Sequence, residues 1–292
     1  MIFTTLIDAV ALRELVGKPD IAILDCRFDL MNPEGGRRAY LQAHIPGARY
    51  ADLNQDLSAP ITPSSGRHPL PAAADFAATL DRLGIGRTTQ VVAYDDSGGA
   101  FAARAWWLLR WVGHPAIAVL DGGIKAWIGS GGALESGEAK PQPSTTAGGG
   151  RWPIDADVVV DAAAVIDAAE VEARLTDPSF LLLDARAPER YAGAVEPIDA
   201  VAGHIAGAVN HPFSANLAAD GRFLPAPVLR QLWEKRLAGR SLTRVAAMCG
   251  SGVTACHNLL SLEVAGFSGA KLYAGSWSEW IRDPHRPIAR GG

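Results

Sequence analysis

The sequence predicts an α/β protein of two similar tandem domains, each a parallel sheet with helices on both faces. The first reason is an internal repeat: ILDCR at 23–27 recurs as LLDAR at 182–186, and HIPGA at 44–48 recurs as HIAGA at 204–208. The second reason is that short, continuously apolar stretches alternate with helical ones, as in parallel sheets that are covered on both faces. A pattern that recurs in the same order indicates two copies of one domain.

Two further pairs of segments extend the repeat to the end of each half. VVAYDDSGG at 91–99 matches VAAMCGSGV at 245–253, and VLDGGIKAW at 119–127 matches LYAGSWSEW at 272–280. The sequence separation between matching motifs of the two halves changes little along the chain. Loops that differ by a few residues in length account for that change.

The domain boundary is predicted from composition. The stretch 129–150 is rich in Gly, Ser and Pro, which is typical of a linker. We therefore expect one domain in residues 1–140 and a second in residues 155–292.

The first elements of each half are predicted from caps and apolar runs. Asp8 and Asp167 stand where an N-cap is expected, each before an amphipathic stretch. The apolar runs IAIL at 21–24 and FLLL at 180–183 follow and are predicted to be buried strands.

The composition excludes several classes of protein. The chain has 292 residues, with 27 basic against 31 acidic side chains and a net charge of −4, which argues against nucleic acid or a membrane as the main partner. No apolar run reaches the ~18 residues of a membrane-spanning helix, and the N-terminal residues lack the basic start of a signal peptide. Three cysteines do not make a disulfide framework. We expect a cytoplasmic protein.

The stretch CGSGVT at 249–254 is the strongest candidate for a functional site. It joins the apolar run 245–248 to a helix-like segment, and a strand that turns directly into a helix gathers backbone N–H groups around one point. Gly250 and Gly252 allow positive φ angles there. Such a setting favours a thiolate, so Cys249 is predicted to be a reactive nucleophile. The alternative is that Cys249 is a small buried apolar residue.

The repeat provides an internal comparison for this loop. The counterpart of Cys249 in the first half is Asp95, so that copy keeps the loop but has no thiol. We expect the domain in residues 1–140 to be an inactive copy and the domain in residues 155–292 to be catalytic, with the active site in the cleft between them.

Taken together, these motifs are similar to those of the tandem-domain rhodanese-family sulfurtransferases. DCR and DAR, HIPGA and HIAGA, LDGGIKAW and YAGSWSEW carry the resemblance over nearly the whole chain. The six-residue loop resembles that of the 3-mercaptopyruvate sulfurtransferases, because thiosulfate-preferring members have basic residues where Gly250 and Ser251 stand here. Thiosulfate, a dianion, gains more from such charges than mercaptopyruvate does with its one carboxylate. The resemblance implies two rhodanese-like domains.

The resemblance also implies a two-step covalent mechanism. No cofactor is expected, and no metal is predicted, because Cys249, Cys256 and His257 do not have the spacing of a zinc site. Cys249 attacks the sulfur of a small-molecule donor and becomes a persulfide, which passes its outer sulfur to a thiol, to thioredoxin or to cyanide. The donor implied is 3-mercaptopyruvate, with thiosulfate as the alternative. Gly250, Gly252, Val253 and Thr254 are the loop residues expected to bind the substrate in this scheme. Thr254 is expected to cap the next helix, to donate to the anion, or to do both.

The family places an arginine for the donor carboxylate shortly after the DAR motif. Arg190 matches that position, and a planar guanidinium suits a carboxylate. Taken alone, Arg190 is typical of a solvated surface charge. The family commonly has a second arginine eight residues later, where this chain has Ile198, and this departure leaves the preferred donor open.

His68, in GRHPLP, matches a family histidine that acts with the loop serine, here Ser251, and an acid in a proton relay. Such a relay would protonate the leaving enolate. Asn54 occupies the expected position of the acid, flanked by Asp52 and Asp56, either of which could serve. The alternatives are a loop histidine bound to backbone and a serine that only forms the turn.

Other residues are expected to be structural. Cys26 and Cys256 are predicted to be buried, the second on the helix after the loop. Two pairs, Asp25 with Arg27 and Asp184 with Arg186, are predicted to form ion pairs at strand ends. Trp277 and Trp280 are expected to line the active-site cleft.

Two other functions compete with sulfur transfer. A phosphatase of related fold would need an arginine at position 255 to bind phosphate. This chain has Ala255 there, which argues against phosphatase activity. A non-enzymatic persulfide carrier or thiol sensor would also use Cys249 but would turn over small donors poorly.

Overall fold

The computed structural model describes residues 2–139 and 160–291, which fall into two compact units. Of the described residues, unit 1 takes those within Met1–Ala59, Pro71–Asp161 and Ala219–Arg222. Unit 2 takes those within Pro60–Leu70, Ala162–Ala218 and Phe223–Gly292. The segment Pro60–Leu70 therefore belongs to unit 2, although unit 1 flanks it in the sequence.

Unit 1 is built on a five-stranded parallel sheet in the order β1-β5-β4-β2-β3. Its strands are β1 (Leu6–Ile7), β2 (Ile21–Asp25), β3 (Arg49–Tyr50), β4 (Gln90–Tyr94) and β5 (Ile117–Leu120). The central strands β4 and β5 are buried along their whole length because helices cover both faces of the sheet.

Unit 2 contains a four-stranded parallel sheet in the order β10-β9-β6-β8 and a small antiparallel pair, β11-β7. Its strands are β6 (Leu181–Asp184), β7 (His204–Ile205), β8 (Val209–Asn210), β9 (Val245–Met248), β10 (Lys271–Leu272) and β11 (Ile288–Ala289). Strand β9 lies between β6 and β10, so the residue that follows it is at the middle of the carboxyl edge of the sheet.

Helices follow the strands in both units. They are α1 (Ala9–Arg13), α2 (Glu34–Gln42), α3 (Ala73–Arg82), α4 (Ala102–Trp111), α5 (Gly123–Gly129), α6 (Ala168–Arg174), α7 (Pro188–Tyr191), α8 (Ala226–Leu237), α9 (Thr254–Val264) and α10 (Ser276–Trp280). None of the helices in residues 2–139 and 160–291 has the length and apolar character that crossing a bilayer requires. The prediction of an α/β fold with parallel sheets and flanking helices is confirmed.

The first elements of each half lie where the sequence places them. The carboxylate of Asp8 accepts a hydrogen bond from the N–H of Ala11, and that of Asp167 accepts one from the N–H of Glu170, each at 2.8 Å. Both predicted N-caps are therefore confirmed.

The repeated DxR and HxxGA motifs are joined by the same hydrogen bonds in both units. Arg27 and Arg186 each pair with the aspartate of their own motif. Each also donates to the carbonyl oxygen of the residue before the histidine, Ala43 at 2.7 Å and Gly203 at 2.8 Å. The predicted ion pairs are thus confirmed, and they hold the end of a strand to the loop that leads to the next one.

The stretch after α5 is not wholly a linker. The backbone of Glu135 exchanges two 2.9 Å hydrogen bonds with that of His44, and the N–H of Gly137 donates to the carbonyl of Leu41 at 2.8 Å. Residues 130–139 are held to unit 1 because these backbone groups find partners there. The prediction of a linker is wrong for them, and residues 140–150 lie outside the described residues.

Trp277 and Trp280 do not line a cleft, so that expectation is wrong. Both side chains are fully buried in the hydrophobic core of unit 2. The indole N–H of Trp277 donates to the carbonyl of Val201 at 2.9 Å, and the guanidinium of Arg186 lies 4.9 Å from its ring centre. The indole of Trp277 therefore packs against the ion pair of Asp184 and Arg186.

A buried polar cluster lies between α8, α9 and the segment after β8. The amide oxygen of Asn216 is 3.0 Å from His211 Nε2, and its amide nitrogen donates to Asn258 Oδ1 at 2.8 Å. The Trp233 ring packs on His211 with a centroid separation of 4.2 Å. Burial lowers the pKa of His211 from the ordinary value of 6.5 to about 4, because a charged ring is poorly solvated there.

We expect unit 2 to lose stability as the pH falls from 6.5 towards 4. The unfolded chain binds a proton at His211 near pH 6.5, whereas the folded unit does so only near pH 4, so acid favours unfolding by ~2 kcal/mol at pH 5. Urea unfolding of wild type and His211→Gln between pH 5 and 7.5 measures this contribution. The glutamine can donate to Asn216 but cannot titrate, so its pH slope should be smaller, and equal slopes would contradict the assignment.

Candidate active site

Cys249 follows directly after β9, at the carboxyl edge of the unit 2 sheet, where parallel strands commonly present ligand sites. Its side chain is buried. The backbone N–H groups of Ser251 and Gly252 donate to its Sγ, with N···S distances of 3.4 and 3.1 Å. These two amides and the N-terminal end of α9 bring positive partial charge to the sulfur, an arrangement that favours a negatively charged sulfur atom.

The two loop glycines have different structural roles. Gly252 has φ 77°, and a Cβ there would collide with the carbonyl oxygen of Ala274. Gly250 does not adopt the positive φ that a glycine allows at this position. Instead, a Cβ on Gly250 would lie 3.0 Å from Arg67 Nη2 and 3.6 Å from Arg190 Nη1. The absence of a side chain at 250 therefore leaves room for two guanidinium groups.

Helix α10 holds the start of the loop. Its first residue, Ser276, accepts a hydrogen bond from the N–H of Cys249 at 3.0 Å, and the N–H of Trp277 donates to the carbonyl of Cys249 at 3.0 Å. The N–H of Ser278 donates to the carbonyl of Gly250 at 2.9 Å. Ser276 has φ 55°, a left-handed conformation that costs a non-glycine residue roughly 1–2 kcal/mol. Both peptide groups of Cys249 are thus fixed by one short segment.

The end of the loop leads into α9. Val253 is buried and occupies the N-cap position without a side-chain cap bond, and Thr254 is the first residue of the helix. Thr254 therefore does not cap this helix. Cys256 is fully buried in the first turn of α9, as expected, and its thiol donates to the carbonyl of Gly252 at 3.3 Å.

The structure brings His68 to the loop serine. His68 Nδ1 lies 2.7 Å from Ser251 Oγ, and both side chains are buried. Ser251 thus donates its backbone N–H to Sγ of Cys249 while its hydroxyl contacts the imidazole of His68.

The two acids considered for the relay are engaged elsewhere. The carboxylate of Asp52 accepts from the backbone N–H of Asn54 at 2.8 Å and also from that of Gln55. Asp56 accepts from the N–H of Asp52 at 2.8 Å and pairs with Arg82. These contacts form a self-contained turn, so neither carboxylate is assigned to His68.

Two arginines and two acids meet beside the loop. Arg190, on α7, binds Glu196 at 2.7 Å and Asp199 at 3.0 Å. Asp199 also pairs with Arg67, so one carboxylate joins both guanidinium groups. The backbone N–H of Ile198 donates to Glu196 at 3.1 Å, which makes the position after Glu-Pro part of the turn that holds the acids.

Arg67 was not predicted from the sequence. It stands next to His68 in GRHPLP, and Ile198 leaves the expected second arginine without a candidate in its own segment. Those two facts are the features of the sequence that could have indicated Arg67 as a second arginine of the site. Only the folded chain brings residue 67 to residue 250, because the two are far apart in sequence.

The corresponding loop in unit 1 is closed by its own side chain. Asp95 follows β4 as Cys249 follows β9, and its buried carboxylate accepts four backbone hydrogen bonds of 2.8–2.9 Å. The donors are the N–H groups of Ser97, Gly99, Phe101 and Ala102. Burial raises the pKa of Asp95, and the four N–H groups oppose that rise. The amides that would hold a foreign anion already hold this carboxylate.

The Rhodanese-like domain family model matches residues 8–130 and 167–283. A probable 3-mercaptopyruvate sulfurtransferase of Pseudomonas aeruginosa is 50% identical over 288 residues, covering 98% of each chain. A putative thiosulfate sulfurtransferase, SseB, of Mycobacterium tuberculosis is 42% identical over 98% of this chain and 97% of its own. The structure of 3-mercaptopyruvate sulfurtransferase from Leishmania major superposes with a TM-score of 0.81 at 30% identity, covering 96% of this chain and 76% of that one.

Because the family model matches both halves, and relatives align along almost the full length at these identities, the chain belongs to the rhodanese-like family.

Proposed function

We propose that unit 2 transfers a sulfur atom from 3-mercaptopyruvate to a thiol acceptor through a persulfide on Cys249, and that unit 1 is the inactive copy. The observation that carries this proposal is the double contact of Ser251. Its N–H donates to Sγ of Cys249, and its hydroxyl is 2.7 Å from His68. One residue therefore joins the nucleophile to a group that moves protons, which is what this reaction requires.

In the first step the Cys249 thiolate attacks the sulfur of the donor. The new S–S bond forms as the C–S bond of mercaptopyruvate breaks, and the electron pair of that bond leaves on the enolate of pyruvate. The donor's thiol proton is delivered to the enolate carbon, with Ser251 and His68 as the transfer groups. The products are pyruvate and a Cys249 persulfide anion, so atoms and charge balance.

In the second step an acceptor thiolate attacks the outer sulfur. The S–S bond to Cys249 breaks, the outer sulfur leaves on the acceptor, and the Cys249 thiolate returns. The acceptors we propose are thioredoxin or a low-molecular-weight thiol, with cyanide as an assay substitute, and the reducing cytoplasm is the compartment in which such thiols are available. The two amides that face Sγ suit both the thiolate and the persulfide anion.

The donor carboxylate is assigned to the two arginines beside Gly250. Within the described residues, Arg67 Nη2 and Arg190 Nη1 make no hydrogen bond, while the other ends of both guanidinium groups are held by Asp199 and Glu196. Because both free ends approach the open face of Gly250, a carboxylate there can take one N–H from each.

The charges of this cluster favour a monoanionic donor over a dianionic one. The two positive charges of Arg67 and Arg190 are balanced by the carboxylates of Glu196 and Asp199. The cluster therefore has N–H donors that face Gly250 but little excess positive charge. A single carboxylate gains from the hydrogen bonds alone, whereas thiosulfate needs excess positive charge to offset its second negative charge.

We expect kcat/KM to be higher for mercaptopyruvate than for thiosulfate, by at least about tenfold. The measurement is steady-state thiocyanate production with cyanide as the shared acceptor for both donors. Pyruvate release, coupled to NADH oxidation by a dehydrogenase, provides an independent rate for the first donor.

Thiosulfate is the second candidate donor, since the 42% identical mycobacterial relative is named for it. A clear preference for thiosulfate would overturn the charge argument while leaving the Cys249 persulfide intact. Formation of one persulfide without turnover would instead support a carrier or sensor.

A further inference from the structure

The segment Pro60–Leu70 carries two residues of the site, yet it comes from the half of the sequence that lacks the thiol. Arg67 pairs with Asp199, and His68 contacts Ser251. Both contacts are made through side chains, so their geometry depends on where the backbone of residues 67 and 68 lies. The position of that backbone therefore decides where both groups act.

The backbone of this segment is seated on the first turn of α10. A Cβ on Gly66 would lie 2.5 Å from the carbonyl oxygen of Gly275 and 2.9 Å from Ser278 Oγ. Gly66 has no positive φ, so the close approach to α10, not the turn geometry, requires glycine here. The next residue, Arg67, donates its backbone N–H to Ser278 Oγ at 3.0 Å.

Ser278 contacts both the Cys249 loop and the segment that carries Arg67 and His68. Its backbone N–H donates to the carbonyl of Gly250 at 2.9 Å, and its hydroxyl accepts from the N–H of Arg67. The same hydroxyl can donate to the carbonyl oxygen of Gly275, 3.4 Å from Oγ, while an oxygen lone pair accepts from the N–H of Arg67. The serine is nearly fully buried, so water does not compete for these bonds.

The internal repeat supports a role specific to the catalytic copy. In the aligned motifs VLDGGIKAW and LYAGSWSEW, the counterpart of Ser278 is Lys125. Lys125 is exposed on α5 of unit 1, whereas Ser278 is buried. The two units share the neighbouring contact, in which the N–H of Ile124 or Trp277 donates to the carbonyl of Asp95 or Cys249 at 3.0 Å. The copies therefore keep the helix that supports the loop and differ at the residue that receives Arg67.

We propose that Ser278 is a positioning residue that sets Arg67 and His68 in register with the Cys249 loop. It acts through those residues and does not contact the donor. The inference rests on the proposed function, because it takes Arg67 as a carboxylate ligand and His68 as a proton-transfer group.

The test is the kinetic effect of Ser278→Ala, alone and combined with Arg67→Met. The single variant should raise the KM for mercaptopyruvate roughly fivefold and lower kcat severalfold, as expected for loss of one buried hydrogen bond that orients two groups. In the Arg67→Met background the same change should leave KM nearly unaltered, because the group it positions is gone. Full additivity of the two effects on KM, or unchanged kinetics in Ser278→Ala, would overturn the proposal.

A bulky replacement and a matched control complete the experiment. Ser278→Lys introduces the residue of unit 1 and should displace the segment, raising KM further. Ser261→Ala removes another buried serine of unit 2, whose hydroxyl accepts the indole N–H of Trp233 at 2.8 Å, and should lower thermal stability with unchanged kinetics. A KM effect of Ser261→Ala equal to that of Ser278→Ala would also overturn the proposal.

Alkylation of Cys249 by iodoacetamide separates this inference from the proposed function, since it needs no donor. The rate should be the same in wild type and Ser278→Ala, because the amides that face Sγ do not involve the hydroxyl of Ser278. A large drop in that rate would mean that Ser278 supports the loop itself, which contradicts the assignment. Sulfur transfer that survives in Cys249→Ser would instead refute the proposed function.

Discussion

Replacing Cys249 by serine is expected to lower sulfur transfer from mercaptopyruvate and from thiosulfate by at least about 10³-fold. A serine hydroxyl at neutral pH is a poor nucleophile, and it cannot form the S–S bond in which the transferred atom is held. The backbone amides of Ser251 and Gly252 remain in place in this variant, so the loss isolates the chemistry of the sulfur.

Mass spectrometry of donor-treated protein provides the direct measurement. Wild type should gain about 32 Da, the mass of one sulfur atom, on the peptide that contains Cys249, and the serine variant should gain nothing there. An adduct on another cysteine, or retained turnover in Cys249→Ser, would refute the site.

Cys256→Ser is the matched control. Its thiol is buried seven residues away and donates to the carbonyl of Gly252, a contact that a serine hydroxyl can also make. We expect this variant to keep its activity, and loss of activity would reveal a second functional thiol.

Replacing Arg67 by methionine is expected to raise the KM for mercaptopyruvate by roughly 10–100-fold with a much smaller change in kcat. Methionine keeps the length of the side chain but removes the Nη2–H that faces Gly250, and a hydrogen bond to a charged group is worth ~1.5–3 kcal/mol. Asp199 keeps its partner Arg190, so the variant does not leave a buried carboxylate unpaired.

Arg82→Met is the control for the loss of one arginine–aspartate pair. Arg82 binds Asp56 in unit 1, outside the candidate site, and its removal should leave the KM of both donors unchanged. The pair Arg67→Met and Arg190→Met, measured singly and together, should show a coupling in KM, because both groups bind one carboxylate. An unchanged KM in Arg67→Met would exclude Arg67 as a donor ligand and reopen the question that Ile198 raises.

Much of this protein could be predicted from its sequence, because the relevant signals are local or repeated. Caps such as Asp8 act over three residues, and buried strands such as β6 are continuous apolar runs. The prediction of a rhodanese-family sulfurtransferase is confirmed by the family model and by the names of its relatives.

Predictions failed where a residue's surroundings come from distant parts of the chain. Trp277 was expected in a cleft but is buried, because an aromatic residue near a glycine loop is equally compatible with the core beneath it. The positive φ that glycine allows at position 250 is not used, and the absent side chain there makes room for Arg67 and Arg190. The Gly-rich stretch after α5 was expected to be a linker, but part of it pairs with the backbone of His44.

The sequence by itself determined the two-copy α/β architecture and the place of the thiol between a strand and a helix, since periodicity and spacing are written along the chain. Tertiary structure alone decided which groups surround that thiol. Residues 67 and 68 reach the loop of that thiol at Gly250 and Ser251 because their segment packs on the first turn of α10, through Gly66 and Ser278. Contacts between backbone and side chains that are distant in sequence leave no periodic signal, so only folding reveals them.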